Sequence, residues 1–461
     1  MNKTLKKGIM AILAANIINL IFNLLTNFLL PKFLSVDSYA AIKTFQLYST
    51  YVGIFALGYS DGMYLRYGGR VLESINQNEL QTGMHSFRFM MIIESIILIP
   101  LALLSNDKII IGFVFTIFTM NMINYYKNFY QAVGEFKLYG KILNWTTILT
   151  FAVNIFLLCI IRTDNYFIYL IGYAIVDAII WIILEINKKI RFNKKISVNF
   201  SMFLLLQDIK SGFLLMIGNF SNILLSSMDR WFVKTMMDSE QFAYYSFAVS
   251  MEGFLNIAIT PITTTMYNYF CNNLEKKDVI YVRKYVMIFG TIIAIAAFPA
   301  KFVIEIFLPG YLGAVRVLFI LFATQMIYIV IKGIYVNLYK ATKKQNIYFG
   351  KLVSILVIGA VINWVFVKIY PFKEAFAYGT LVSAFIWLII SIIDFKEYTY
   401  EIREVLYLIL EVIMFIFLGY KSNSIIGFFA YIIISIFFMT IFMREEIKNI
   451  IKSALNTLRR N

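Results

Sequence analysis

The sequence predicts an all-α, polytopic membrane protein with about fourteen transmembrane helices. Of its 461 residues, 60% are hydrophobic and the mean hydropathy is +0.75, well above the roughly half apolar content of soluble domains. Windows of about nineteen residues find about fourteen apolar runs that can cross a hydrocarbon core of roughly 30 Å. These runs are too long and continuous for the alternating strands of a membrane barrel, which leaves helices.

The spans follow one another closely, and no segment between them is long enough for a folded soluble domain. The basic leader MNKTLKKG resembles a secretory signal, but its apolar run continues without a convincing cleavage site, which predicts a retained first helix. The approximate starts of the spans are Ile9, Tyr39, Ser86, Ile109, Ile142, Asn165, Gly212, Gln241, Tyr285, Leu312, Ile347, Ala375, Glu404 and Ser424.

The net charge of +16 is distributed as expected for a membrane protein. With the amino terminus inside, roughly thirty Lys and Arg residues fall on inner loops and helix ends, against about eleven outside. Topology and anionic headgroups therefore explain most of the basic charge, and nucleic-acid binding is not expected. Both termini are predicted to be cytoplasmic.

Residues for metal or nucleophilic chemistry are scarce. His85 is the sole histidine, and Cys159 and Cys271 are the only cysteines, so a histidine metal cluster, a Ser-His-Asp triad and a disulfide framework are not supported. GEFKLYGK, from Gly134, has five residues between its glycines, and Ile142 stands where a phosphate-binding loop needs Ser or Thr. We expect no metal, no cofactor and no enzymatic activity.

The chain contains an internal repeat at an offset of 203 residues. LSVDSYA (Leu34 to Ala40) matches MDSEQFA (Met237 to Ala243), each a polar turn with a capping Ser or Asp before the next helix. The predicted organisation is an N-terminal lobe (1–190), a cytoplasmic linker (191–211), a C-terminal lobe (212–393), and two further helices with a tail (394–461). Six helices per lobe keep the two copies parallel in the membrane.

The repeat includes a polar stripe on each of two helices. At about 100° per residue, four polar side chains on each helix fall within an arc of roughly 80°. The stripes are Asn16, Asn19, Asn23 and Asn27 on the first helix, and Asn219, Asn222, Ser226 and Arg230 on the seventh. Because amides in lipid are unfavourable without partners or water, both stripes are expected to face a solvated central cavity. The alternative is hydrogen bonding to a neighbouring helix alone.

Cations extend this polar surface. Arg230 continues the second stripe and Lys234 lies one turn further, at the predicted outer end, where the positive-inside rule expects few cations. Lys43 adds a cation to the second helix, with Gln46 and Thr50 on a similar face. Arg230 and Lys234 are therefore predicted to face the cavity, with Lys43 as a cation on the side of the first half, although snorkelling toward outer headgroups is an alternative for Arg230 and Lys234.

The eighth span has its own stripe within an arc of roughly 80°, made of Glu252, Asn256, Thr260 and Thr263. Glu252 is expected near the middle of the membrane, where a carboxylate is neutral, paired with a base such as Arg230 or Lys43, or bound to a coupling proton or sodium ion. On the seventh helix, Asp229 lies about 100° off the stripe that contains Arg230, and it is predicted to hold a neighbouring helix, with pairing to a base elsewhere as the alternative.

Several segments resemble a known family. LLTNFLLPKFLSVDSYAAI followed by FALGYSDGMYLRYGG resembles the opening helix pair of the O-antigen flippase family, the polysaccharide transporters of the multidrug/oligosaccharidyl-lipid/polysaccharide (MOP) exporter superfamily. IKSGFLLMIGNF, SSMDRWFVKTMMDSEQFAYYSF and ITPITTTMYNYF resemble the start of that family's second half, and IFLPGYLGAVRVLFIL and LYKATKKQN continue it. Ala40, Ala243 and Leu214 depart from the family's usual Gly, Gly and Pro, which concerns local helix geometry.

The resemblance implies a MATE-like fold with two six-helix lobes around a central cavity and two C-terminal helices. It implies alternating-access transport of undecaprenyl-pyrophosphate-linked oligosaccharide to the outer leaflet of the bacterial inner membrane, with cavity cations attracting the pyrophosphate. Arg230, Lys234 and Lys43 correspond to such cations by helix order. The implied partners are this glycolipid, membrane lipids and other polysaccharide assembly proteins, and a coupling ion (H⁺ or Na⁺) stays an open alternative. Two other functions also stay open: an ion-coupled multidrug exporter of the same superfamily, and a multi-pass polymerase or ligase of the same glycolipids.

Overall fold

The computed structural model describes residues 3–191, 199–272, 274–398, 400–449 and 452, and the regular elements among them are helices. The helices up to the middle of the chain are α1 (Lys3–Phe33), α2 (Val36–Ser49), α3 (Tyr59–Tyr67), α4 (Gln77–Leu104), α5 (Lys108–Ala132), α6 (Phe136–Ile155) and α7 (Tyr166–Arg191). They are followed by α8 (Met202–Met236), α9 (Ser239–Gly253), α10 (Asn256–Asn272), α11 (Lys276–Ala294), α12 (Ala297–Phe307), α13 (Val315–Val330), α14 (Val336–Ala341), α15 (Gln345–Ile369), α16 (Lys373–Asp394), α17 (Ile402–Lys421) and α18 (Ser424–Phe442).

The helices match the predicted spans. Ten helices in the described part of the chain are long and apolar enough to cross a membrane. The predicted spans outside this set correspond to α1, to the pairs α2–α3 and α9–α10, which are interrupted, and to α17. The prediction of an all-α, polytopic membrane protein is therefore confirmed.

The chain divides into two compact units, Met1–Ser227 and Met228–Asn461, and the division falls within α8. The sequence analysis begins the seventh span at Gly212, whereas α8 begins at Met202. Leu205 is buried in the first unit, which explains why the apolar stretch before Gly212 is helical. Of the predicted linker, residues 192–198 lie outside the described residues.

In the first unit, α5 is the central helix and packs against α2, α3, α4, α6 and α7, while α1 packs on α6. The core contains stacked aromatic rings, with centroids 4.5 Å apart for Tyr59 and Phe87 and 5.7 Å apart for Phe87 and Tyr125. Such ring pairs stabilise a core beyond the apolar area they bury.

The second span of this unit is broken between α2 and α3. A short 3₁₀ turn (Val52–Ala56) is followed by left-handed backbone at Leu57 (φ 50°) and Gly58 (φ 85°). The break leaves backbone carbonyls without helical partners, and Asn121 on α5 donates its side-chain amide to the Val52 carbonyl at 3.1 Å. This interruption places Ser60 and Asp61 on the first turn of α3.

Glycines bring α3 and α8 into backbone contact. A β-carbon at Gly62 would lie 1.9 Å from the Asp208 carbonyl oxygen, and one at Gly212 would lie 2.1 Å from the Gly58 carbonyl oxygen. An ion pair joins the same two helices, with Arg66 Nη2 2.7 Å from Asp208 Oδ1. Small residues therefore permit the close approach that the ion pair then fixes.

In the second unit, α13 is the central helix, packed against α9, α11, α16 and α17. Its eighth span is also broken, by a tight turn at Phe254 and Leu255 between α9 and α10. The predicted stripe starting at Glu252 therefore does not lie on one continuous helix as expected. The turn aligns, at the repeat offset, with Tyr51 and Val52 at the break in the first unit, so the interruption is part of the repeat.

The two C-terminal helices are attached to the second unit by a buried ion pair. Arg283 on α11 is fully buried, and its guanidinium lies 2.5 Å from both Glu404 Oε2 on α17 and the Tyr398 carbonyl oxygen. Its neighbour Lys284 lies 3.4 Å from Glu446, which follows α18. These contacts hold α17 and the end of α18 against α11.

Candidate functional site

Lys43 and Asn27 meet in the first unit. Lys43 is buried on α2, and its Nζ donates to Asn27 Oδ1 at 2.8 Å and to Gln46 Oε1 at 3.1 Å. It also lies 5.3 Å from the centroid of the Tyr39 ring. The structure thus brings together a predicted substrate-binding cation, the last amide of the first stripe and the glutamine predicted on the same face.

Most residues of the two stripes are accessible. None of the eight is buried, and the exposed members are Asn16, Asn23, Asn219, Asn222 and Ser226. Asn222 and Ser226 bond carbonyl oxygens of their own helix, at 2.9 and 3.0 Å. Among the described residues, Asn27 and Asn219 bond a side chain of another helix. Hydrogen bonding between helices therefore accounts for a minority of the stripe.

A polar pocket of about 170 Å³ lies within the first unit. We refer to it as the amide pocket, and its polar lining includes Thr50, Ser60, Asp61, Asn124, Asn128 and Asn219. Asn219 Nδ2 donates to Asp61 Oδ1 at 3.1 Å, which connects the second stripe to the first turn of α3. The pocket exists because the broken span opens a space between α3, α5 and α8.

Asp229 holds α8 to α9 within the second unit. Its carboxylate is buried and accepts hydrogen bonds from the Tyr245 hydroxyl at 2.6 Å and from the Arg230 backbone amide at 2.8 Å. This contact is the helix-holding role expected for Asp229. It also fixes the backbone of α8 next to Arg230.

Glu252 lies in a polar network of the second unit. Its carboxylate accepts a hydrogen bond from Gln325 Nε2 on α13, and the charges of Lys332, Arg230 and Asp229 act on it. Lys332 lies 5.0 Å from the centroid of the Tyr328 ring. Among the described residues, Glu252 makes no ion pair within 4.0 Å. Its carboxylate is therefore hydrogen-bonded to an amide and lies near cations without a direct salt bridge.

Arg230 and Lys234 are both half-buried on α8. Arg230 Nε has no hydrogen-bond partner among the described residues, and Lys234 Nζ lies 5.7 Å from the centroid of the Phe242 ring. In the described parts of the chain, neither cation forms an ion pair within 4.0 Å. Asn256, at the first position of α10, is exposed.

The sequence analysis did not single out the amides of α5. Asn121, Asn124 and Asn128 recur at helical spacing and line the pocket, the same signal that identified the two stripes. Gln325 was also missed, because a single glutamine in an apolar helix has no periodicity to mark it. Lys332 and Asp61 are charged residues in or beside predicted spans, and only the structure assigns their neighbours.

Solved structures share this fold. The lipid II flippase MurJ, in an inward-closed conformation, is similar with a TM-score of 0.68 and 16% identity over 94% of this chain and 99% of that one. A eukaryotic MATE transporter gives a TM-score of 0.56 at 12% identity, covering 89% of this chain and 98% of that one. An inward-facing multidrug resistance MATE family transporter of the MOP superfamily gives 0.57 at 12% identity, covering 86% and 95%.

The likeness in structure establishes the MATE-like fold predicted from the sequence. No protein-family model matches the chain, and the comparison with curated proteins gives no match.

Proposed function

We propose that this protein is a flippase for undecaprenyl-pyrophosphate-linked oligosaccharide repeat units of the O-antigen or capsule type. It moves them by alternating access from the cytoplasmic to the outer leaflet of the bacterial plasma membrane. The fold supports this proposal, since one structure that shares it is named as a lipid II flippase. The chemistry supports it as well, because a sugar diphosphate needs a polar path while its lipid tail stays in the bilayer.

The observation on which the proposal depends is the pair Arg230 and Lys234. These half-buried cations lie one turn apart on α8, about 6 Å along the helix axis, which suits the two phosphates of a diphosphate. Among the described residues no carboxylate oxygen lies within 4.0 Å of a side-chain nitrogen of either residue, so neither cation is already held in an ion pair. Lys43 supplies a further cation in the first unit.

The remaining assignments follow from this function. The protein is a multi-pass protein of the inner membrane with both termini in the cytoplasm, in accordance with the distribution of Lys and Arg. The exposed polar stripes line the cavity through which the sugar headgroup passes. Its partners are the lipid-linked oligosaccharide, membrane phospholipids and the proteins that assemble and polymerise the glycan.

Reconstituted protein tests the proposal. Vesicles containing the protein and undecaprenyl-diphosphate-linked sugar are treated with an enzyme that modifies only the glycan of the outer leaflet. The rate at which further glycolipid becomes modified measures flipping. We expect Arg230→Ala to lower the rate at least ~10-fold, since a charge-assisted contact contributes about 1.5–3 kcal/mol. Lys340→Ala, at an exposed lysine of the second unit, is the matched control. Normal flipping by Arg230→Ala at normal protein levels would leave snorkelling as the role of Arg230.

An ion-coupled multidrug exporter is the second candidate. It is favoured by the MATE transporters among the similar structures and by Glu252, a carboxylate in the membrane without a direct salt bridge in the described structure. The same vesicles discriminate the two functions. Gradient-driven uptake of a cationic dye such as ethidium, with no movement of the glycolipid, would support the exporter and exclude the flippase.

A further inference from the structure

We propose that the amide pocket of the first unit binds one sugar residue of the carried oligosaccharide, an inference that rests on the proposed flippase function. The residues that line the pocket belong to the first unit, and their chemistry differs from that of Arg230 and Lys234. Its polar lining consists of amides, hydroxyls and one carboxylate. These groups both donate and accept hydrogen bonds, as the hydroxyls of a sugar require.

The amides are arranged on one helical face. Asn121, Asn124 and Asn128 are spaced by three and four residues on α5, so they point to the same side of that helix. The side-chain amide of Asn121 already donates a hydrogen bond to the Val52 carbonyl of the broken span. Asn124 accepts from Lys127 at 3.2 Å through its oxygen, which leaves its amide nitrogen available as a donor. Asn128 has no side-chain hydrogen bond among the described residues.

Two groups at the pocket wall have unmet hydrogen-bonding capacity. The Ser60 hydroxyl is buried, and within the described structure it has no hydrogen-bond partner. Asp61 accepts one hydrogen bond, from Asn219, and among the described residues it forms no ion pair within 4.0 Å. A buried polar group without a partner costs about 1–3 kcal/mol. A ligand with several hydroxyls would satisfy both groups at once.

The size of the pocket admits a sugar ring. Its volume of about 170 Å³ is well above the roughly 10–15 Å³ that a single water molecule needs, so a sugar-sized group has room to enter. Tyr51 and Phe220 add aromatic surface, with ring centroids 5.9 Å apart at an angle of 73°. Aromatic faces pack against the apolar C–H surfaces of sugar rings, whereas the amides bind their hydroxyls.

The charge of the pocket does not favour the diphosphate. Asp61 is the charged residue of its lining. Lys127 lies outside that lining, donates to Asn124 and is near the carboxylate of Asp177. A diphosphate is therefore not favoured there, which agrees with its assignment to Arg230 and Lys234. Lys43 and Thr50 lie two turns apart on one face of α2, about 10 Å along the axis, so Lys43 is a further cation near the pocket.

Lipid binding to the full-length protein in nanodiscs tests the inference. The probes are undecaprenyl diphosphate without sugar and the same lipid carrying glucose, galactose, N-acetylglucosamine or N-acetylgalactosamine. We expect at least one sugar-bearing lipid to bind at least ~10-fold more tightly than the sugar-free lipid. Asn128→Leu and Asp61→Asn should each remove most of this difference and leave the affinity for the sugar-free lipid within about twofold. Asn346→Leu, at an exposed position of α15, is the matched control.

Three outcomes would overturn the inference. In the first, the wild-type protein binds the sugar-bearing and sugar-free lipids equally. In the second, the difference in affinity between these lipids persists in both pocket variants. In the third, Asp61→Asn abolishes binding of radioactive sodium while all the lipids bind alike. The flippase proposal survives each of these if the sugar-free lipid binds and Arg230→Ala weakens that binding. Failure of the wild-type protein to bind any of the lipids would instead contradict the flippase proposal itself.

Discussion

Asn27 on α1 accepts a hydrogen bond of 2.8 Å from the ammonium group of Lys43 on α2. Gln46, one turn further along α2, provides a second acceptor at 3.1 Å. The position of Lys43 is thus fixed by side chains of two helices before a ligand arrives. A cation held in this way loses little conformational entropy when it binds an anion.

Removal of Asn27 should destabilise the first unit. Asn27→Leu takes an acceptor from a buried ammonium, and we expect a loss of about 1–3 kcal/mol. Thermal unfolding in detergent measures the effect, with Asn16→Leu, at an exposed position of the same stripe, as a control expected to change little. The double variant Asn27→Leu/Lys43→Met should recover much of the stability. Equal melting temperatures for Asn27→Leu and Asn16→Leu would contradict this account.

The contact between α3 and α8 should not tolerate a methyl group. A β-carbon at Gly62 would lie 1.9 Å from the Asp208 carbonyl oxygen, so Gly62→Ala must push the two helices apart. We expect a loss of about 1–3 kcal/mol, visible as a lower melting temperature. Gly218→Ala on α8 is the control, because no atom lies within 4 Å of its β-carbon, and it should gain up to about 1 kcal/mol from helix propensity. A Gly62→Ala protein as stable as Gly218→Ala would disprove the close approach.

The buried ion pair of α11 and α17 should be far more sensitive than its partly accessible neighbour. Arg283→Met leaves the buried carboxylate of Glu404 without its guanidinium, and we expect a loss of about 3–5 kcal/mol. Lys284→Met removes longer contacts of 3.4 to 3.8 Å to Glu446, Glu401 and Glu404, and about 0–1 kcal/mol is expected. Chemical denaturation of both variants in the same detergent compares them. Similar midpoints would show that burial does not strengthen the Arg283 contact.

Glu252 offers a test of ion coupling. Glu252→Gln removes a titratable group and keeps an amide oxygen that can accept from Gln325. If the carboxylate binds the coupling proton, the variant should transport at a rate that no longer depends on the pH gradient. Glycolipid flipping across vesicles with imposed gradients measures this, with Glu240→Gln at an exposed position as control. A gradient response unchanged from the wild type would remove Glu252 from the coupling mechanism.

Hydropathy and periodicity were sufficient to predict the fold class, because lipid requires each span to satisfy its own backbone hydrogen bonds. The repeat offset located equivalent residues such as Asn19 and Asn222, since duplicated helices keep their register. Local pairing on one helical face was also predictable. Gln46, one turn from Lys43, does contact it.

The sequence did not predict the contacts that depend on helix breaks and on packing between distant segments. A single glycine, Gly253, precedes the turn at Phe254, and one glycine within an apolar run is tolerated in a helix, so the eighth span looked continuous. The bond between Asp61 and Asn219 joins residues 158 positions apart, and it requires the glycine contact of α3 and α8. The pocket beside this bond follows from the same interruption and was therefore invisible to periodicity.

The guanidinium of Arg283 has a consequence for how this chain can be shortened. A chain that ended after α16 would lack both the Glu404 carboxylate and the Tyr398 carbonyl that accept hydrogen bonds from this group. Removal of the segment after α16 should therefore destabilise α11. An evolutionary route that added the last two spans to a finished twelve-helix transporter would also have required a change at position 283.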